Sequence, residues 1–597
     1  MRWFDIKPSF LLAMVMAGSL LAGVSLAPDA MVPGAGAATR EVACPSNDSG
    51  LKLPAGFCAT IFADNLGHAR HMAVSASGVV YVNTWSGSYF PNSPAPPGGF
   101  LIALKDDKGT GKADVIQRFG ETAQTGGAGG TGIRLYNGWL YAEINDRIVR
   151  YALPDGRLVP QGAPQTILSG LPRKGDHPMH PFIIQDGFLY VDVATATNAC
   201  QPKNRMPEIT GAYPCTELLT RGGVWRYDAN KIGQTFSPAE RYATGIRNAE
   251  GFAIDTVHHQ MFVTQHGRDQ LHSLWPKLYK PEEEATLPSE ELLLLQQGRD
   301  YGWPECYYDP GRKSLVLAPE YGGDGGKIVG VCASKIGPYD AFPAHWAPND
   351  LAFYDQKQFP ARYRDGVFIA FHGSWNRAPY PQQGYNVVFQ SLAEGPNAGR
   401  CEIFAEGFAG ADASPGAAAH RPTGLAVGPD GSLYVADDVT GRVYKIVYSG
   451  DPNQSSADTK YTPCPSLTAS PDAAAGAAPA PVMAAGSNDT TANLPVPAGA
   501  THEMVARGYQ LYHGSSGATC IGCHGANAKG TPLGPDLTDK IWLWSDGSFP
   551  GIEQLITKGV PVPKQYRAPM PAQGGAQLTP QQVSEISAYI WALSHRN

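Results

Sequence analysis

Near the C-terminus of this 597-residue chain, Cys520, Cys523 and His524 stand together as CIGCH. Two thiols at this spacing reach the two vinyl groups of one porphyrin, and the adjacent histidine offers an imidazole to its iron, so the motif reads as a covalent c-type haem site. A redox Cys-x-x-Cys pair or half of a zinc site uses the same two thiols. Zinc needs further Cys or His ligands close by, and His513 is the one at hand. A haem iron needs a sixth ligand from farther along. Met570, in RAPMPAQ, is the best placed, since a thioether opposite imidazole suits an electron-transfer haem and raises its potential. The other readings are His513 as that ligand, or Met570 as a gap-filling core side chain.

The elements around the motif are helical in period. Glu503 to Tyr512 suits one short helix, and Val583, Ile586, Tyr589, Ile590 and Leu593 recur at helical spacing behind Thr579 and Pro580, a cap and first turn. With Gly508-Tyr509 before the motif, CIGCHG at it and Met570-Pro571 after it, residues 499–597 resemble a small monohaem class I cytochrome c.

Upstream, residues 466–498 are nearly all Ala, Pro, Gly, Ser and Thr, which predicts an extended linker. It divides the cytochrome-like segment from a larger domain over 39–465. There a strand–turn–strand pattern recurs: His71–Asn83, Thr131–Glu143, Pro181–Val193, Gly251–Thr264, Thr423–Asp437, and more loosely Asp350–Phe371, which carries an insertion. Six hairpin copies at long spacing predict an all-β, six-bladed β-propeller rather than a β-sandwich, followed by the small all-α domain. In a propeller the innermost strands start at the mouth of a central channel. The residues there are Arg70 and His71, Gly130 and Thr131, Asp176 and His177, Arg247 and Asn248, Asn349 and Asp350, Arg421 and Pro422. Several are cationic or hydrogen-bonding, as a funnel for a polyanion would be.

The segments GDHPMHPFII, GIRNAEGFAID, TQHGRDQ, FHGSWNR and RPTGLAVGPDGSLYVADD, in this order along the blades, resemble the soluble glucose and sorbosone dehydrogenases that depend on pyrroloquinoline quinone (PQQ). The resemblance implies Arg247 and Asn248 as cofactor contacts, with Arg377 and Arg421 as further candidates. PQQ carries three carboxylates, which arginine's planar fork pairs bidentately. It implies His177 as the general base that takes the substrate's hydroxyl proton, with a pKa near neutrality, and Asp176 beside it as an orienting or charge-stabilising carboxylate. It also implies a calcium ion, a Lewis acid for the quinone, held by backbone carbonyls of Gly267 and Arg268. The chain departs from the family at Arg268, where a proline is expected, and at His180, where relatives often have Arg.

The remaining composition bounds the function. A net charge of -7 and a charged fraction of 17% exclude a basic nucleic-acid footprint. The acidic run Glu282–Glu284, with Glu290 and Glu291, reads as a solvated loop or helix face. Arg2 and Lys7 precede an apolar run from Phe10 to Ala27 and then small residues, which predicts a signal peptide over 1–38 and a periplasmic product with at most peripheral membrane contact. Of ten cysteines, eight lie outside CIGCH, an even number that favours disulfides in an exported chain, with pairs such as Cys200–Cys215 and Cys306–Cys332 the simplest. The whole therefore predicts a PQQ-dependent aldose or sorbosone dehydrogenase carrying its own haem. Its electrons would go to an external cytochrome, copper protein or terminal oxidase. A calcium-dependent lactonase or hydrolase, and a non-catalytic docking propeller, are the rival readings.

Overall fold

The computed structural model describes residues 44–596 apart from 87–94, 155, 378–379, 394–398, 414–416, 452–460, 472–490, 492, 516–519, 526–527, 531–533, 561–562, 567–569 and 576–577. The expected signal peptide and most of the expected linker lie outside the described residues.

Strands rich in Val, Tyr and Ala build six blade sheets, and a seventh, two-stranded sheet pairs Cys306–Asp309 with Ser314–Leu317. Blade one comprises His68–Val74, Val80–Trp85, Leu101–Lys105 and Val115–Phe119. The first two strands of blades two to six are Ile133–Tyr136 with Trp139–Ile144, Phe182–Gln185 with Phe188–Val193, Phe252–Asp255 with Gln260–Gln265, Pro348–Phe353 with Gly366–Phe371, and Pro422–Val427 with Leu433–Asp437. Each of these hairpins coincides with one of the sequence copies, the loose one included. Its insertion folds back as an aromatic wedge in which Tyr354 stacks on Phe359 at 4.4 Å.

The ring closes with strands from both ends of the domain. Phe57–Ala63 is the outer strand of blade six, antiparallel to Val443–Tyr448, with Phe57 opposite Tyr448. Phe57 then fills a pocket formed by Phe359, Tyr363 and Phe404, with ring centroids 4.8–5.5 Å away. Inside the ring, blades six and one approach so closely that a Cβ on Gly424 would lie 2.2 Å from the Arg70 carbonyl oxygen. Four disulfides join neighbours in sequence: Cys44–Cys58, Cys200–Cys215, Cys306–Cys332 and Cys401–Cys464.

The C-terminal domain is helical, with His502–Gln510, Cys520–His524, Phe549–Lys558 and Pro580–Ser594. Thr579 caps the last helix by accepting from the Gln582 N–H while the Gln582 side chain accepts from the Thr579 N–H. The first and last helices cross at Gly508, where an added Cβ would meet the Glu585 carbonyl oxygen at 1.9 Å. Among the described residues no helix is long and apolar enough to cross a membrane.

Candidate functional site

The mouth of the propeller is built by two turns per blade: the one before the inner strand and the one after the second strand. In blade three these bring His177 against Thr195. Nδ1 of His177 lies 2.9 Å from the Thr195 carbonyl oxygen. A carbonyl only accepts, so Nδ1 carries the proton and Nε2 of the neutral ring keeps its lone pair. The Thr195 N–H in turn donates to the Arg247 carbonyl at 2.9 Å, tying the histidine to blade four. Burial, reinforced by the Arg247 charge, holds the His177 pKa well below the ordinary histidine value, not near neutrality as the sequence reading expects.

Asp176 does not take the orienting role expected of it. Its carboxylate accepts from Asn204 Nδ2 at 3.0 Å and from Arg205 Nη2 at 3.0 Å, and the Thr195 carbonyl aligns the His177 ring instead. His180 is a structural residue: fully buried, its Nε2 donates to the Pro172 carbonyl at 3.0 Å and its N–H to Glu143 Oε1 at 2.9 Å.

Arg247 and Asn248, side by side in blade four, are buried at 3% and 1% exposure, a burial that charged and amide groups tolerate only when well partnered. Arg247 gives Nη2 to Asp269 Oδ2 at 2.8 Å and to Asn198 Oδ1 at 3.1 Å, and Nη1 to the Gly267 carbonyl at 2.9 Å. Asp269 is the hub of the site: Arg205 Nη2 reaches the same oxygen at 2.8 Å, and Asn376 Nδ2 donates to Oδ1 at 2.9 Å. Burial raises its proton affinity, but the charges of Arg247 and Arg205 outweigh this and keep it ionised far below the usual range. Three buried polar atoms in this group lack hydrogen-bond partners: Arg247 Nε, Asn248 Oδ1 and Asn376 Oδ1. Such atoms cost stability unless something polar meets them, so the residues present fit a ligand that offers both acceptors and donors, as PQQ does.

Two other arginines expected as cofactor contacts are turned to the protein. Arg377 donates Nε to the Pro381 carbonyl at 3.0 Å and Nη1 to the Ala285 carbonyl. Arg421 donates to the carbonyls of His372 and Gly373 at 3.0 and 2.8 Å and lies over the Tyr385 ring. Each clips loop backbone that its own blade cannot satisfy.

The expected calcium loop is differently occupied. The Gly267 carbonyl accepts from a guanidinium, and Arg268, fully enclosed, forms an ion pair with Glu320. A cation already sits at the carbonyl that calcium would need, so these residues do not fit an oxygen-lined calcium site, and no step below runs through one. Among the described residues no three His, Cys, Asp or Glu side chains converge as a metal cluster. The acidic residues nearby also depart from expectation. Glu284, Glu290 and Glu291 are buried, and Glu290 accepts the Gly267 N–H at 2.9 Å while Glu291 accepts from Gln265 Nε2 at 2.8 Å. Burial pushes both Glu290 and Glu291 up to about 8, so they act as neutral braces beneath the loop.

In the helical domain a cavity is lined by Cys520, Cys523 and His524 and by Met570, with Ile552 and Ile586 among its apolar walls. His524 Nδ1 donates to the Pro535 carbonyl at 3.0 Å, which leaves Nε2 as the free lone pair of that ring. Neither thiol is in a disulfide, and burial pushes them up to about 11 and 12, which is unlike a reactive redox pair. The donor set and the apolar walls fit a covalently held haem, whose iron His524 and Met570 would ligate. His513 is not among the lining residues; its Nδ1 is bonded to the Tyr509 carbonyl at 2.7 Å.

Residues 51–449 match the TrAA12-like family, and the chain belongs to that family. Residues 505–594 match cytochrome c. The PQQ-dependent pyranose dehydrogenase of Coprinopsis cinerea is 30% identical over 174 residues, 24% of this chain and 22% of that protein. The cbb3-type cytochrome c oxidase subunit FixP of Rhizobium etli is 33% identical over 79 residues, 13% of this chain and 27% of that protein. The chain spans between about a fifth and about half of the length of the curated relatives it matches. The iodide structure of the Trichoderma reesei carbohydrate-active enzyme of family AA12 has the same fold, with a TM-score of 0.52 at 16% identity, covering 67% of this chain and 98% of that one. A TrAA12-like propeller and a cytochrome c domain are thus joined in one chain.

The sequence reading missed Thr195, Asn198, Arg205 and Asp269. Asn198 and Arg205 sit at and within the Cys200–Cys215 loop, and that cysteine spacing was the one signal pointing there.

Proposed function

We propose that this protein is an exported PQQ-dependent sugar dehydrogenase that passes its electrons to its own haem and then to an external redox protein. The observation that carries the reading is His177: its Nδ1 is locked by Thr195 and its Nε2 lone pair is free, beside the Arg247–Asn248 pair with its unmatched polar atoms. His177 Nε2 takes the hydroxyl proton of a hydrated aldehyde or hemiacetal, and Arg247 and Asn248 hold the cofactor. When bound, PQQ supplies a two-electron acceptor for the substrate's hydride, and the haem a one-electron relay. Cys520 and Cys523 would hold that haem covalently.

An aldose or sorbosone-type sugar is the substrate class, supported by the relative's pyranose dehydrogenase name. The acceptor is a cytochrome, a copper protein or a terminal oxidase, and the likeness to an oxidase subunit supports the last. Four disulfides suit an oxidising compartment, here the periplasm, and the N-terminal apolar run suits export.

The test is the visible spectrum of the purified full chain with PQQ added, before and after a panel of aldoses and sorbosone, without dye. Reduced c-haem bands that require both PQQ and one sugar establish the chemistry. A haem that dithionite reduces but no sugar does, together with failure to take up PQQ, overturns the reading in favour of a hydrolase or docking propeller.

A further inference from the structure

The loop closed by Cys200–Cys215 belongs to no blade sheet, yet it enters the site from above. Asn198 brackets the Asp269 backbone, accepting its N–H at 2.9 Å and donating Nδ2 to its carbonyl at 3.0 Å. Its own carbonyl is held by Trp303 Nε1 at 2.9 Å. Beyond the disulfide's first cysteine, Arg205 turns back at a φ of 58°, a conformation a bulky residue keeps only when its contacts over-determine it.

Those contacts span three blades. Arg205 Nε and Nη2 reach Asp176 Oδ2 at 3.3 and 3.0 Å, Nη2 also reaches Asp269 Oδ2 at 2.8 Å, and Nη1 reaches Gln270 Oε1 at 2.7 Å. Its guanidinium carbon lies 5.9 Å from the centroid of Trp375 in blade five. Asp176 precedes the base His177, and Asp269 holds Arg247. One planar fork therefore fixes the carboxylate next to the base and the carboxylate that aims the cofactor-side arginine.

We infer that Arg205 is a positioning residue of the dehydrogenase site, delivered by the Cys200–Cys215 loop, which sets the spacing between the His177 side and the Arg247 side of the bound quinone. The inference rests on the function proposed above. Lysine keeps the charge but is a single point donor without the planar fork, so it cannot serve Asp176, Asp269 and Gln270 in the same geometry. The loop's outer end is also braced: Gly211 donates to the Glu320 carbonyl at 2.9 Å, and Glu320 is the partner of Arg268. The Arg268 departure from the family pattern thus secures the loop that carries Arg205.

The experiment compares the full-length haem protein as wild type, Arg205→Lys and Arg205→Ala. Arg205→Ala strands two buried carboxylates and can cost the fold itself, so Arg205→Lys carries the decision. The expected result is a Lys variant with unaltered haem spectrum that binds PQQ on the order of tenfold more weakly, the size of effect seen when an outer partner of a site is lost. The KM for an aldose stays within about twofold. In quinone-free protein, amides of 198–205 and 265–270 exchange faster than in wild type, while the rest of the propeller is unchanged. Faster exchange with undiminished PQQ affinity would reduce Arg205 to a structural clamp and overturn the inference, as would exchange and affinity both equal to wild type. If wild type takes up no PQQ, the proposed function falls. The positioning role then falls with it, because faster exchange confined to the two segments is the mark of a structural clamp alone.

Discussion

The neighbours of His177 fix which of its nitrogens is bare, as the proposed role of base requires. The Thr195 carbonyl can only accept, so the proton stays on Nδ1; burial and then Arg247 make a second proton costly. Both effects lower the folded-state pKa, so the ring is neutral at pH 6.5 and stays so as the pH falls further, charging only below the ordinary histidine range. In quinone-free protein the His177 ring resonances should titrate with a midpoint below about 6.5, the ordinary histidine value. A midpoint at or above that value would show that neither burial nor the Arg247 charge governs the ring. His177→Asn should lower kcat by about 10²–10⁴-fold, the usual worth of a positioned base, with PQQ affinity retained. Stopped-flow haem reduction checks the first figure and PQQ titration the second. At this scale the sequence was informative where chemistry is local. CIGCH announces itself by type and spacing, whereas His177 and Arg247-Asn248 come into view through the family resemblance of the segments that carry them. Asp269 does not, since its partners Asn198, Arg205 and Asn376 lie 71, 64 and 107 residues away, and only the closed ring brings them together.

Elements were legible for the same reason that single residues in loops were not: a hairpin is a local pattern. All six inner hairpins coincide with sequence copies, and the caps at Thr579 and Pro580 stand as read. The acidic run misled because charge in sequence says nothing of depth. Glu290 and Glu291 start a strand at the channel mouth, where backbone N–H and amide donors meet them. Two element-scale outcomes follow from close contacts. Phe57→Ala empties the aromatic pocket beneath the closing strand, and a Phe-to-Ala cavity costs about 3–5 kcal/mol. Denaturant unfolding of the propeller, followed by tryptophan fluorescence, should move to lower concentration while the haem band is unchanged; an unmoved midpoint would mean that the strand does not close the ring. Gly508→Val places side-chain carbons where the Glu585 carbonyl oxygen lies 1.9 Å from a Cβ position, so the first and last helices separate. The purified variant should carry less haem per chain, measured as pyridine haemochrome against total protein, and haem content equal to wild type would show that the crossing tolerates the bulk.

At the scale of the whole molecule, the sequence places a catalytic propeller and a haem domain on one chain, joined through 466–498, a stretch rich in Ala, Pro and Gly. Joining two domains in one chain keeps the local concentration of one around the other high, on the order of millimolar. Under the proposed function, delivery of electrons to the chain's own haem would then be a first-order event. With PQQ and saturating sugar, the rate of haem reduction should stay constant while protein concentration varies over about a hundredfold range from micromolar downward, far below the tethered concentration. The free propeller, residues 39–465, mixed with separate cytochrome domain should instead show a rate proportional to concentration. It should match the intact chain only near the tethered concentration. A rate in the intact protein that rises in proportion to its concentration would mean that electrons pass between molecules, and that the fusion serves to bring the haem to an external acceptor rather than to collect from its own propeller.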